Sequence, residues 1–218
     1  MKPCPLCHSE AAPIPPVWER PLFDCPECGL VFVDPAAHLS HEDEHARYAT
    51  HENHPEDQGY RDFLDRLAQP LVERLLPGTH GLDFGSGPGP VLAAMLTERG
   101  FPTTPWDPYF APDSAAMARE WAFISCTEVV EHLSDPARSW ALLDRLLAPG
   151  GLLGVMTTVL TDDVDLDTWW YLRDPTHVVF YRPATLTWIA RRFSWEIERL
   201  DGEPNVTFFR KPMGLKEV

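Results

Sequence analysis

Four cysteines open the chain as two pairs, Cys4-Pro5-Leu6-Cys7 and Cys25-Pro26-Glu27-Cys28, separated by 17 residues. Two residues between cysteines let both thiolates reach one tetrahedral ion from a tight knuckle. Two knuckles at this separation predict a four-thiolate zinc ribbon. Four thiolates leave no open position for water or substrate, so the predicted zinc is structural. Gly29 follows the second pair, where the backbone turns around the ion. His8 adjoins the first and reads as a neighbour rather than a ligand. A second chemical group lies further on, in Gly85-Ser86-Gly87-Pro88-Gly89. Glycines permit positive φ and let a ligand approach the backbone where a Cβ would clash. The turn is therefore a candidate cofactor cradle.

These groups need elements to hold them. Residues 1–34 carry four of the five cysteines and seven of the 23 prolines, and a segment this short needs a metal to make up for its small core. Residues 35–59 form an acidic connector with His38, His41, His45, His51 and His54, read as a solvated linker, with a lid over a site as the alternative. From Tyr60 onward apolar residues recur at helical spacing up to Pro77-Gly78, a helix stop. Strand-like segments at 80–84, 102–106, 122–126 and 152–158 then alternate with helix-like segments at 91–99 and 136–147. This alternation predicts right-handed βαβ units and a parallel sheet, with 60–218 as one α/β domain. A further helix to about 192 and two neighbouring strands, 195–200 and 206–211, close the chain and supply an antiparallel C-terminal strand.

In an open parallel sheet the ligand crevice lies at the carboxyl ends of the strands, where the glycine turn falls. A dinucleotide fingerprint would place a third glycine where Pro90 stands, and that glycine serves close helix–sheet packing. The turn thus reads against NAD and for another nucleotide-like cofactor. Asp107 ends the next strand, 22 positions after Gly85, where a carboxylate can accept from ribose hydroxyls. Two later segments complete an ordered set: Thr127-Glu128-Val129-Val130-Glu131-His132-Leu133 and Pro149-Gly150-Gly151. Over roughly residues 60–200 this set resembles the class I methyltransferases that use S-adenosylmethionine (SAM), and with the zinc ribbon it is similar to small-molecule methyltransferases. The Glu-His-Leu segment also resembles quinone-pathway O-methyltransferases. The resemblance implies a Rossmann-like fold, with Gly85, Ser86, Gly87 and Gly89 at the methionine part of SAM and Asp83 among the cofactor-binding residues. It further implies Asp107 on the ribose, and Thr127 and Glu128 beside the sulfonium, with Cys126 as wall. Only 18 residues separate Asp107 from Cys126, so the family's third strand is expected to be missing or vestigial. Tyr109, Phe110 or Trp121 would then cover the adenine.

The methyl of SAM is primed for in-line displacement, so alignment and exclusion of water are the protein's main work. A base is needed only for a hydroxyl, an acidic carbon or a protonated amine. His177 and His132 lie after strands that end at the crevice, with Tyr181 a weaker candidate. A net charge of −15 argues against a nucleic-acid substrate, and the adjacent basic pairs Arg191-Arg192 and Arg210-Lys211 are too few for a phosphate-binding patch. The start does not resemble a signal peptide, and no apolar run approaches the ~18 residues of a membrane span. The expectation is a cytoplasmic enzyme acting on a small molecule. A catalytically inactive SAM-binding scaffold and an RNA methyltransferase gripping its substrate with the ribbon are the alternatives. Eight tryptophans, four of them at 169, 170, 188 and 195, are read as either pocket lining or core.

Overall fold

A computed structural model of the chain describes residues 1–50 and 54–214; His51 of the connector lies outside them. Four short strands come first: β1 Lys2–Pro3, β2 Glu10–Val17, β3 Arg20–Asp24 and β4 Val31–Val33, paired in sequence as an antiparallel meander. The connector is not bare linker. Ser40 caps a helix, α1 (His41–Tyr48), through an Asp43 amide, and Glu42, Asp43 and Glu44 fill its positive first turn. Asp57 caps α2 (Gln58–Val72), whose buried stripe is Leu64, Leu67, Ala68 and Leu71.

The α/β unit follows. Strand β5 (Gly81–Phe84) leads through the glycine turn into α3 (Val91–Glu98), and then come β6 (Thr103–Trp106), β7 (Trp121–Thr127), α4 (Pro136–Leu146) and β8 (Leu147–Met156). β6, β5, β7 and β8 run parallel. The middle residues of β5, β7 and β8 are buried on both faces, as in a sheet covered by helices on each side, while those of the edge strand β6 are half-buried. After β9 (Val179–Phe180) and α5 (Pro183–Phe193), β10 (Glu196–Leu200) and β11 (Glu203–Arg210) return antiparallel, and β11 pairs with β8. The sheet order is β10-β11-β8-β7-β5-β6. Between Asp107 and Trp121 the chain makes one bridge, Asp107 to Ala111, and one 3-10 turn, Ala116–Ala118. The third strand is missing, and β6 is the sheet edge. Residues 148–151 bulge out of β8 near its start, so the Pro-Gly-Gly turn sits within that strand. Among the described residues no helix is long and apolar enough to cross a membrane.

The two sheets share a core. β4 pairs with β9, and Cys4, Leu6, Phe23 and Phe32 pack in one cluster with Ile124, Trp140 and Leu186. The Arg182 guanidinium clamps Asp24 through two bonds of 2.8 and 2.9 Å. Arg20 donates to the carbonyls of Leu172 (2.6 Å), Asp174 (3.0 Å) and His177. The cysteine-bearing sheet therefore holds the loop that carries His177. Within the parallel sheet, a Cβ on Gly81 would lie 2.3 Å from the Phe123 ring. Gly81→Ala is expected to lower stability by about 2–3 kcal/mol, read as a fall in the denaturant midpoint at constant m.

Candidate active site

A cavity of about 660 Å³ opens at the carboxyl ends of β5, β6 and β7. Gly85, Ser86, Gly87, Asp107 and Tyr109 form one part of its wall, and Thr127, Glu128, His132 and His177 another. The glycine turn is shaped by its neighbours. Gly85 has φ +79°, and a Cβ there would lie 2.4 Å from Val129 Cγ2. The Gly85 and Ser86 amides both donate to the Trp106 carbonyl, at 2.8 and 3.0 Å. Asp107 completes the tie. Its Oδ2 accepts the Gly87 amide at 3.0 Å, and its Oδ1 accepts the Tyr109 and Phe110 amides at 2.8 and 3.0 Å. One carboxylate thus holds the turn after β5 against the loop after β6.

Ser86 Oγ and Thr127 Oγ1 are buried in this wall without a hydrogen-bond partner. Buried hydroxyls are nearly always partnered, so two orphans at one cavity mark where a polar ligand group fits. Glu128 lines the same cavity in a left-handed conformation, φ +51°, uncommon for a residue with a Cβ. Burial, then the neighbouring Glu131, push its carboxyl up to about 9, so it is protonated at neutral pH.

Behind Glu128 lies a buried network. The Tyr171 hydroxyl donates to Glu131 Oε1 at 2.5 Å and lies 3.4 Å from Glu128 Oε2, while Thr157 Oγ1 donates to Glu131 Oε2 at 2.9 Å. His177 Nδ1 is 2.8 Å from the Tyr171 carbonyl, and His132 Nδ1 is 3.1 Å from the Thr176 carbonyl. A carbonyl only accepts, so both Nδ1 atoms carry the proton and both Nε2 atoms the lone pair in the neutral rings. The rings meet edge to face, 4.7 Å between centroids. Burial, then repulsion from a charge on His132, hold the His177 pKa below the usual imidazole range, so its ring is neutral at pH 7.

Above the cavity lies α1, as a lid. His45 packs on Tyr109 and Phe110, at 5.1 and 5.6 Å between ring centroids, and Tyr48 meets His132 edge-on at 5.4 Å. Glu44 accepts from the Tyr48 and Tyr109 hydroxyls at 2.9 and 3.1 Å, and Arg47 pairs with Asp174 at 2.8 Å. None of α1 is buried, so it has no apolar face for sequence periodicity to reveal.

Several predicted residues lie behind the wall instead. Asp83 is buried against Ser125, whose hydroxyl donates to it at 2.8 Å. Cys126 is fully buried in β7, and Gly89 stands beyond the lining residues, just before the Pro90 cap of α3. Tyr181 is fully buried too, with its hydroxyl donating to the Val130 carbonyl and accepting from Trp140 Nε1. Trp121 is a core residue donating to the Ala116 carbonyl, so of the three aromatic candidates only Tyr109 and Phe110 reach the cavity. None of Trp169, Trp170, Trp188 and Trp195 lines it; the tryptophan in its wall is Trp106. Glu131, Tyr171 and Tyr48 were not singled out by sequence, and His45 was named only among the connector histidines, in the segment for which a lid was the alternative reading.

Asp83 carries a pH prediction. Burial pushes its carboxyl up to about 6. Between pH ~4 and ~6 the folded chain therefore holds a proton that the unfolded chain has lost, and stability falls across that window. Asp83→Asn removes the penalty and keeps an acceptor for Ser125. It is expected to be more stable than the parent by about 1–3 kcal/mol at pH 8 and equal to it at pH 4, by denaturant titration at both values.

At the amino-terminal end, the Cys4 and Cys28 sulfurs are 3.6 Å apart and those of Cys7 and Cys25 3.4 Å, with all four within 4.8 Å of one another and none in a disulfide. A tetrahedral ion with Zn–S bonds of ~2.3 Å needs sulfurs ~3.8 Å apart. Each knuckle is closed by amides donating to the Cys4 and Cys25 carbonyls, from His8 at 3.0 Å and Gly29 at 2.8 Å.

Residues 30–200 match the family model described as a methyltransferase domain. No curated protein matches the chain. Among solved structures it is similar to the 1,6-didemethyltoxoflavin-N1-methyltransferase of Burkholderia thailandensis, with bound 1,6-didemethyltoxoflavin and S-adenosylhomocysteine: 15% identity, TM-score 0.54, covering 93% of this chain and 100% of that one. It is also similar to an assembly of the Haloferax volcanii Trm112 methyltransferase activator with a putative methyltransferase, at 15% identity and TM-score 0.56, covering 77% and 96%. A third similar structure is an O-methyltransferase family protein of B. thailandensis, at 17% identity and TM-score 0.53, covering 78% of this chain and 63% of that one.

Proposed function

Because the chain belongs to the methyltransferase domain family, whose model spans most of its length, we propose that it moves the methyl group of SAM to a small-molecule acceptor held under α1. The observation that carries this reading is the pair of orphaned hydroxyls, Ser86 Oγ and Thr127 Oγ1, beside the positive-φ glycines of one cavity. Those atoms, with the amides of the turn, would hold the methionine end, and Asp107 the ribose. Tyr109 and Phe110 would cover the adenine in place of the missing strand. SAM supplies an activated methyl when bound. The chain's own residues orient the acceptor, exclude water beneath α1 and take up its proton at His177 Nε2. His132, 4.7 Å away, is the second basic group. The small-molecule acceptor is supported by the aromatic, half-enclosed walls, Tyr48, Tyr60 and Phe63 among them. The Burkholderia enzyme with its bound heterocycle adds to that support. We further propose that Cys4, Cys7, Cys25 and Cys28 hold one structural zinc and that residues 1–34 form the ribbon around it.

Calorimetry with SAM and with S-adenosylhomocysteine (SAH) tests the cofactor. Binding of both is the expected result, and binding of neither overturns the reading. With an acceptor identified, unchanged turnover in both His177→Ala and His132→Ala would remove the base from these positions.

A further inference from the structure

Glu131 has no part in that scheme, yet its carboxylate is tightly held. It is fully buried, and both its oxygens are held by hydroxyl donors, Tyr171 at 2.5 Å and Thr157 at 2.9 Å. Burial pushes its carboxyl up, and the charge of a protonated His177 and the hydrogen bonds from Tyr171 and Thr157 pull it back toward the charged form. No lysine or arginine pairs with it among the described residues. The ionisable groups that face it are Glu128 on its own segment, Cys126 at the end of β7, Tyr171 and Tyr181 from the far side, and the two histidines. Burial keeps the Cys126 thiol and both phenols neutral, and Glu128 is protonated at neutral pH. The positive charge available to Glu131 therefore comes from imidazole. His132 Nε2 is 4.0 Å from Oε1, and a ring nitrogen of His177 is within 4.8 Å of the carboxylate.

His177 is built for this pairing. Its Nδ1–H is fixed by the Tyr171 carbonyl and its ring packs on the Tyr171 ring at 4.1 Å between centroids, while the next amide, Val178 N–H, donates to the Glu131 carbonyl at 2.8 Å. The same tyrosine thus orients the imidazole through its backbone and the carboxylate through its hydroxyl. A buried neutral imidazole is a poor proton acceptor, because the cation it forms has lost its water. A fixed carboxylate in the same pocket offsets that loss.

We propose that Glu131 is the positioning residue of His177, the buried counter-charge that stabilises the imidazolium formed when His177 takes the acceptor's proton. In that step the acceptor's X–H bond breaks with its electrons left on X, and an N–H bond forms at Nε2. The proton then leaves to water after turnover. The need for this proton transfer rests on the methyltransferase reading; the pairing of the two side chains does not.

Imidazole NMR titration of the full chain tests the pairing without an acceptor, with the His177 signal assigned by its loss in His177→Gln. Glu131→Gln is expected to lower the His177 pKa by about one unit or more, and Glu131→Asp to restore most of the shift. His38, whose ring bonds the Val33 carbonyl, is expected to stay unmoved. Coupling is reciprocal, so His177→Gln is expected to raise the Glu131 carboxyl pKa, followed by its ¹³C shift, by the same amount. That second measurement stands even where Glu131→Gln fails to fold. An unmoved His177 in folded Glu131→Gln, or an unmoved Glu131 in His177→Gln, overturns the proposal. A His177 signal that shifts with added Mg²⁺ or Zn²⁺ in the parent but not in Glu131→Gln overturns it too, because Glu131 is then a metal ligand. Failure of the methyltransferase reading would appear separately, as absence of SAH binding in calorimetry.

Discussion

Cys25→Ser combined with Cys28→Ser is expected to cost the chain the proposed zinc and to lower its melting temperature by about 8–16 °C. The unit that carries these cysteines has strands of two to eight residues, and the buried parts of β2 and β3 amount to a few side chains. With the proposed ion bound, such a segment would fold on it, so removing the ligands would remove most of the free energy that orders it. The loss does not stay local. β4 pairs with β9, Arg182 clamps Asp24, and Phe23 and Phe32 pack in the cluster that contains Trp140. A net loss of about 4 kcal/mol, at ~2–4 °C per kcal/mol for a chain this size, gives the stated range. Arg20 also lets go of the Leu172, Asp174 and His177 carbonyls, so the loop over the cavity loses its outer support. Metal content by elemental mass spectrometry and calorimetric melting with and without chelator read both effects. Cys126→Ser is the control: it sits in β7, outside the sulfur cluster, and leaves the metal content unchanged. A parent chain free of zinc and indifferent to chelator would sink the idea.

The parallel sheet was legible because its strands and helices each carry their own signal. α3 and α4 begin within a residue of where proline and apolar spacing place them. The missing third strand was legible too, since 18 residues cannot hold a helix, a strand and two loops. What sequence did not reveal was held by distant partners. α1 is polar all round, and it is ordered by His45 on Tyr109, Glu44 on two phenols and Arg47 on Asp174. Without those partners its residues read as a solvated linker. The β4–β9 pair joins strands of three and two residues from opposite ends of the chain, too short to announce themselves. Within the site, motif position identified Ser86, Asp107, Thr127 and Glu128 but not direction. In a strand alternate side chains face opposite ways, and Asp83 and Cys126 turn into the sheet's packing while their neighbours reach the cavity. Glu131 escaped notice for a related reason. Its place in the motif is plain, whereas its partners Tyr171, Thr157 and His177 come from three later segments.

Asp107→Ala is expected to weaken SAH binding at least ~100-fold and to cost about 3 kcal/mol of stability. The side chain serves three amides at once: Gly87 after β5, and Tyr109 and Phe110 after β6. Alanine strands all three in a part-buried cavity wall, and each amide that water does not reach costs about 1–3 kcal/mol. The turn can then relax away from β6, which takes the Gly87 amide and Ser86 hydroxyl out of register with a ligand that needs both. Affinity is the more sensitive readout, because about 2.7 kcal/mol of lost preorganisation already corresponds to ~100-fold. Asp107→Asn separates the two parts of the effect. Its one carbonyl oxygen can still accept the Tyr109 and Phe110 amides, but its NH₂ then confronts the Gly87 amide, donor against donor. Stability is expected to recover by more than half while SAH affinity stays low. Isothermal calorimetry with SAH and denaturant titration of the three proteins check both arms. Equal SAH affinity in all three would show that Asp107 only shapes the loop after β6 and that the glycine turn needs no support from it.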